Sequence, residues 1–103
     1  MQIQELRRDN HLVIEPTGRL DSNTARNLDR VLTGAIQRGD IRILLDFSKL
    51  EYIGSMGLSA LLGAAKRMKA AQGELAICGM NERVKLVFEM SGFLRLFTVQ
   101  DAC

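Results

Sequence analysis

The sequence lacks tryptophan altogether, has a single tyrosine, proline and histidine, and draws only 5% of its residues from the aromatics. So few rings leave little on which nucleic-acid bases could stack. A surplus of one charge is missing too: 14 basic residues face 12 acidic ones, and the basic ones fall in short pairs such as Arg7-Arg8 and Lys66-Arg67. With no cationic stripe to follow a phosphate backbone, a nucleic-acid partner is not expected. No apolar run is long enough to cross a bilayer, and Met-Gln-Ile-Gln-Glu at the start lacks the basic and apolar regions of a secretory signal. A cytoplasmic chain without membrane insertion is therefore expected.

Chemistry is thinly supplied as well. The only histidine, His11, falls in or beside an expected strand, where it reads as a surface residue and leaves no nucleophile, base and orienting group for acyl transfer. Neither a phosphate loop nor a dinucleotide fingerprint follows any expected strand, so no cofactor and no enzymatic activity are expected. Cys78 and Cys103 show neither metal-ligand spacing nor the density of a disulfide framework. Both are expected as reduced thiols, with Cys78 acting as a small buried apolar residue. Asp21, Asp46 and Glu51 form no local repeat that would hold a metal, and Asp46 is expected to end a strand and fix the following turn through Ser48.

What the chain does have is 103 residues, 47% of them hydrophobic, enough for one domain over 1–103 with one core. Residues 2–7 and 11–17 read as an opening hairpin around Asp9-Asn10. Ala25, Leu28, Leu32 and Ala35 recur at helical spacing after the capping residues Asp21-Ser22-Asn23. The aliphatic run 41–47 predicts a central strand covered on both faces. Leu58, Leu61, Leu62, Ala65 and Met68 trace a second helix, ended by Gln72-Gly73. Residues 74–78 predict a strand, Asn81 caps a third helix carrying Val84, Val87 and Phe88, and 97–99 form a last short strand. Helices alternating with strands imply an α/β (α+β) sandwich: a mixed, largely parallel sheet packed against three to four helices.

One position stands out. Residues 47–54 read as a connection from the strand to the second helix, and Gly54-Ser55-Met56-Gly57 opens that helix, but its glycine spacing does not match a nucleophile elbow. A serine at a helix start has two readings. It can simply cap the helix, or it can carry a phosphate held by the free amides and positive dipole end of the first turn. A phosphate there adds about −1.5 to −2 charges, enough to repel a docked partner.

The stretch from Ile43 to Leu58 resembles the signature of STAS-domain anti-sigma factor antagonists. Gly18-Arg19-Leu20-Asp21 is similar to that family's turn before its first helix, and Val84 to Phe93 to its C-terminal helix and turn. In the family the motif commonly reads Asp-Ser-Ser or Thr-Gly-Leu, and its first serine is phosphorylated by a kinase that doubles as the anti-sigma factor. Ser55 falls on that serine, and Gly57 and Leu58 on the glycine and leucine; Gly54 replaces the aspartate and Met56 the second hydroxyl residue.

The resemblance implies partner switching. The unmodified domain binds an anti-sigma serine kinase and frees the sigma factor, phosphorylation of Ser55 releases the complex, and a serine phosphatase resets it. The implied partner surface is Asp21, Ser22, Asn23, Thr24, Gly54, Met56, Gly57 and Ser59, on a domain that is monomeric when free. The resemblance also allows a second role, as a STAS subunit of a lipid-transport or sensory complex.

Overall fold

A computed structural model describes residues 1–100 and 102–103. Strands β1 (Gln2–Arg8) and β2 (His11–Leu20) form the expected antiparallel hairpin, with Asp9 at φ +46° in its turn. There follow α1 (Ala25–Gln37), β3 (Arg42–Asp46), β4 (Leu50–Ile53), α2 (Ser55–Ala70), β5 (Glu74–Cys78) and α3 (Glu82–Ser91). A short 3-10 turn (Leu94–Leu96) and β6 (Thr98–Gln100) complete the order. The sheet runs β1-β2-β3-β5-β6, with β4 on the far half of β2, and every pairing except the hairpin is parallel. The expected mixed, largely parallel α/β architecture is the one found.

Strand order explains where the core lies. From β2 to β3, β5 and β6 the chain steps across the sheet in one direction, and right-handed crossovers taken in one direction fall on one face. Accordingly, Leu28 and Leu32 of α1, Leu61 and Met68 of α2, and Val84 and Phe88 of α3 share one core with Leu12, Ile14, Ile43, Leu45, Leu75 and Ile77. Phe88 and Phe97 close it edge to face, with centroids 5.5 Å apart. The expectation that β3 is covered on both faces is thus corrected. Leu44, between two core residues, is only half-buried and joins Val13 and Ala76 in an open groove of about 610 Å³ on the side away from the helices.

Three local features differ from the sequence reading. Strand β2 continues past residue 17 because Gly18, at φ +106°, bends it without ending it. The chain after Phe47, read as a connection, contains β4, which pairs with β2 beyond that bend. Helix α1 starts at Ala25 because Asp21 first organises a turn: its Oδ1 accepts from the backbone N–H of Asn23 at 3.0 Å and of Thr24 at 3.2 Å. The third helix is capped as expected, with Asn81 Oδ1 accepting from Val84 N–H at 2.8 Å. Asp46 likewise holds its turn, accepting from the Ser48 N–H at 3.0 Å and hydroxyl at 2.7 Å.

The cysteines require a correction. Cys78 is buried, as expected, but it is joined to Cys103 by a disulfide with Cα atoms 5.3 Å apart. Strand β6 returns parallel to β5 and sets Gln100 opposite Cys78, which brings Cys103 within bridging reach. A separation of 25 residues in sequence carries no hint of this.

Two measurements test this packing. A Cβ at Gly57 would stand 2.6 Å from Leu20 Cγ and 3.0 Å from the Leu20 carbonyl. Gly57→Ala should therefore lower stability by about 1–3 kcal/mol in urea denaturation, despite alanine's better helix propensity. On the surface, Arg7 donates to both carboxylate oxygens of Asp40 at 2.7 and 3.1 Å, with Arg38 nearby, and these hydrogen bonds hold the Asp40 carboxyl below its ordinary range. A carboxylate lowered on folding stabilises above its unfolded pKa, and that contribution is lost as pH falls through the folded value. Asp40→Asn should therefore cost stability at pH 7, and the difference from the parent should shrink in melts taken at decreasing pH through the acid range.

Candidate functional site

Ser55 is the first residue of α2, and the capping position before it is Gly54, which has no side chain to cap with. The helix closes its first turn through Leu58 N–H to the Gly54 carbonyl at 3.0 Å. The amides of Ser55, Met56 and Gly57 thus precede the first intrahelical bond, at the positive end of a helix sixteen residues long. Ser55 itself is exposed. The capping role that its residue type suggested is taken by glycine, which leaves the hydroxyl at the surface of the turn.

The pairing of β2 with β4 brings the remaining predicted residues to this point. Gly54 N–H donates to the Leu20 carbonyl at 2.9 Å, so the turn that begins at Asp21 adjoins the start of α2. Ser22, Asn23, Met56 and Ser59 are exposed, with Met56 at 55%, and Asp21, Thr24 and Gly54 are half-buried. Gly57 departs from expectation. It is buried beneath Leu20, so it contributes close approach of α2 to β2 and no contact surface.

The electrostatics are set locally. Asp21 is held below the ordinary carboxylate range, chiefly by the Asn23 N–H, with the Thr24 hydroxyl and N–H and the Arg19 charge adding to the effect and desolvation opposing it. It is therefore anionic at neutral pH. The Thr24 hydroxyl donates to the Arg19 carbonyl at 2.7 Å, which fixes the turn to the end of β2.

Two residues that the sequence reading did not single out complete the site. Arg19 and Tyr52 are opposite one another in the β2–β4 register, and the guanidinium lies 4.2 Å from the ring centroid. Tyr52 also lies against Gly54: a Cβ there would be 3.1 Å from the phenol oxygen and 3.3 Å from a ring carbon. The short aliphatic-polar segment that holds Tyr52 gives no clear strand period, so the pairing that sets Tyr52 beside Arg19 was not legible.

A metal finds little here. Among the described residues, Asp46, Cys78 and Cys103 bring ligand atoms within 4.8 Å of one another, but both sulfurs are spent in the disulfide. No described helix is long and apolar enough to cross a membrane.

Comparison with known proteins accords with this geometry. The family model described as the STAS domain matches residues 2–102. BtrV of Bordetella bronchiseptica, assigned as an anti-sigma factor antagonist, is 37% identical over 94 residues, covering 91% of this chain and 81% of that protein. Among solved structures, the anti-sigma factor antagonist SpoIIAA in its unphosphorylated form aligns over 99% of this chain and 90% of its own, with TM-score 0.80 and 21% identity. The phosphorylated form of the Bacillus cell fate determinant SpoIIAA aligns over 97% and 92%, with TM-score 0.77 and 22% identity. With its sheet order, its helix-start serine and a family match spanning nearly every residue, the chain belongs to the STAS domain family, whose anti-sigma antagonist members are regulatory binding proteins and not enzymes.

Proposed function

We propose that this protein is an anti-sigma factor antagonist that binds an anti-sigma serine kinase and is switched off by phosphorylation of Ser55. One observation carries the reading: Ser55 is exposed at the first position of α2, behind a glycine cap, in a first turn whose amides at 55–57 precede the first helical bond. A kinase can reach such a hydroxyl, and the helix start can accommodate the phosphate that results. The name of the 37%-identical relative and the existence of phosphorylated and unphosphorylated forms of a structural neighbour support the same role.

The partner surface in this reading is the ridge of Ser22, Asn23, Met56 and Ser59 around Ser55, with Asp21, Thr24 and Gly54 at its base. Met56 supplies a flexible apolar contact at its centre. A phosphate added near the anionic Asp21 places further negative charge in the same small area, and a partner that docks on the unmodified surface must then desolvate it as well. The domain is a substrate of the kinase and contributes no catalytic group, and a serine phosphatase restores the binding form.

A second reading rests on Gly54. The acidic neighbour usual in the family is replaced by a glycine packed under Tyr52, an arrangement suited to a constitutive binding subunit of a lipid-transport or sensory complex.

Peptide mass spectrometry after incubation with ATP and lysate of the source organism separates the two. Phosphate is expected on Ser55 and absent from Ser55→Ala; no phosphate under conditions that modify a control antagonist would favour the constitutive subunit. In titration against the purified cognate kinase, Ser55→Asp should weaken binding by roughly tenfold or more, about 1.4 kcal/mol, while Ser55→Ala keeps it. Equal affinities for the parent and the aspartate variant would count against the switch.

A further inference from the structure

The geometry points to the Cys78–Cys103 pair as a reversible thiol–disulfide modification site that governs whether β6 stays paired to the sheet. This is independent of phosphorylation at Ser55.

The anchoring of β6 is lopsided. All three of its side chains, Thr98, Val99 and Gln100, are exposed, and among the described residues it pairs with the sheet through the backbone of Ala76, Ile77 and Cys78 of β5. The last buried apolar side chain before it is Phe97, packed on Phe88. Beyond Phe97 the disulfide is therefore the main tether. An edge strand of three residues with no buried side chain opens readily once its tether is cut.

The two sulfurs are also unequal in access. Cys78 is fully buried at the end of β5, whereas Cys103 is exposed. A small thiolate, such as that of glutathione, reaches the Cys103 sulfur first. Its sulfur forms a mixed disulfide there, the Cys78–Cys103 bond breaks, and Cys78 leaves with the electron pair and takes a proton. A second glutathione then attacks the mixed disulfide, giving oxidised glutathione and a free Cys103 thiol. The sum is one protein disulfide and two thiols converted to two protein thiols and one small disulfide, and oxidised glutathione drives the reverse.

The bridge is also wired to neighbouring loops. Cys103 Sγ lies 3.2 Å from Asp46 Oδ1, the same oxygen that fixes the Ser48 turn leading into β4. A Cβ on Gly79 would meet both Cys103 Sγ and the Ser48 nitrogen at 3.0 Å, so these segments are packed without slack. Opening the bridge frees the β5 edge while the Asp46–Ser48 hydrogen bonds keep the β3–β4 turn.

The test equilibrates the purified chain in glutathione buffers from fully reduced to fully oxidised. Peptide mapping reads the 78–103 link, and hydrogen exchange reads the amides of 98–100 and of the helices. Reduction should remove the link and accelerate exchange at 98–100 by more than about tenfold, with α1 and α2 unchanged. Cys103→Ser should show the fast pattern in every buffer. Failure of the link to form in oxidised glutathione, or equal exchange at 98–100 in the linked and reduced states, would overturn the proposal.

Discussion

On the edge away from β1, strand β2 serves two neighbours in succession, and the site depends on how it does so. Its first half pairs with β3, and beyond the bend at Gly18 its second half pairs with β4. Without that division β4 would have no partner, and the Gly54 amide would not reach the Leu20 carbonyl. The junction carries the Asp21 turn to the start of α2 and forces the close approach that only glycine at 57 permits. The surface around Ser55 is therefore the product of one bent strand more than of any local motif.

The second organising constraint is directional. Because the parallel strands are laid down in sequence from β2 toward β6, the three helices gather on one side, and the carboxyl ends of the parallel strands, where connections carry function, collect along one rim. Leu20, Ile53 and Cys78 close their strands on that rim. The helix-start serine and the disulfide thus share one end of the sheet, and the opposite sheet face keeps an open groove.

Much of the fold was legible because periodicity is a local property. The Leu58, Leu61, Ala65 and Met68 stripe gave α2, and Asn81 marked the start of α3 where a cap was expected. The Gly18 bend and the Asp21 turn before α1 were local misses, and the others were non-local. Strand β4 is four residues long with only its ends buried, so no alternation marks it, and its identity comes from pairing with β2. The one-sided helix layer depends on strand order, which no single segment encodes. Pairing of Cys78 with Cys103 depends on the return of β6, and the placement of Arg19 over Tyr52 on the β2–β4 register. Ser55 was found through motif resemblance, but its role as the first helical residue behind a glycine cap needed the backbone.

The ring of Tyr52 over Gly54 couples three side-chain positions. An aspartate at position 54 would set its Cβ 3.1 Å from the phenol oxygen and oblige the ring to shift, while a smaller residue at 52 would leave Arg19 without the face it stacks on. Neither change is neutral alone, so positions 19, 52 and 54 form a linked set in which the identity of one restricts the others. A side chain introduced at 54 is therefore read through the ring at 52 and the guanidinium at 19 before it reaches the serine.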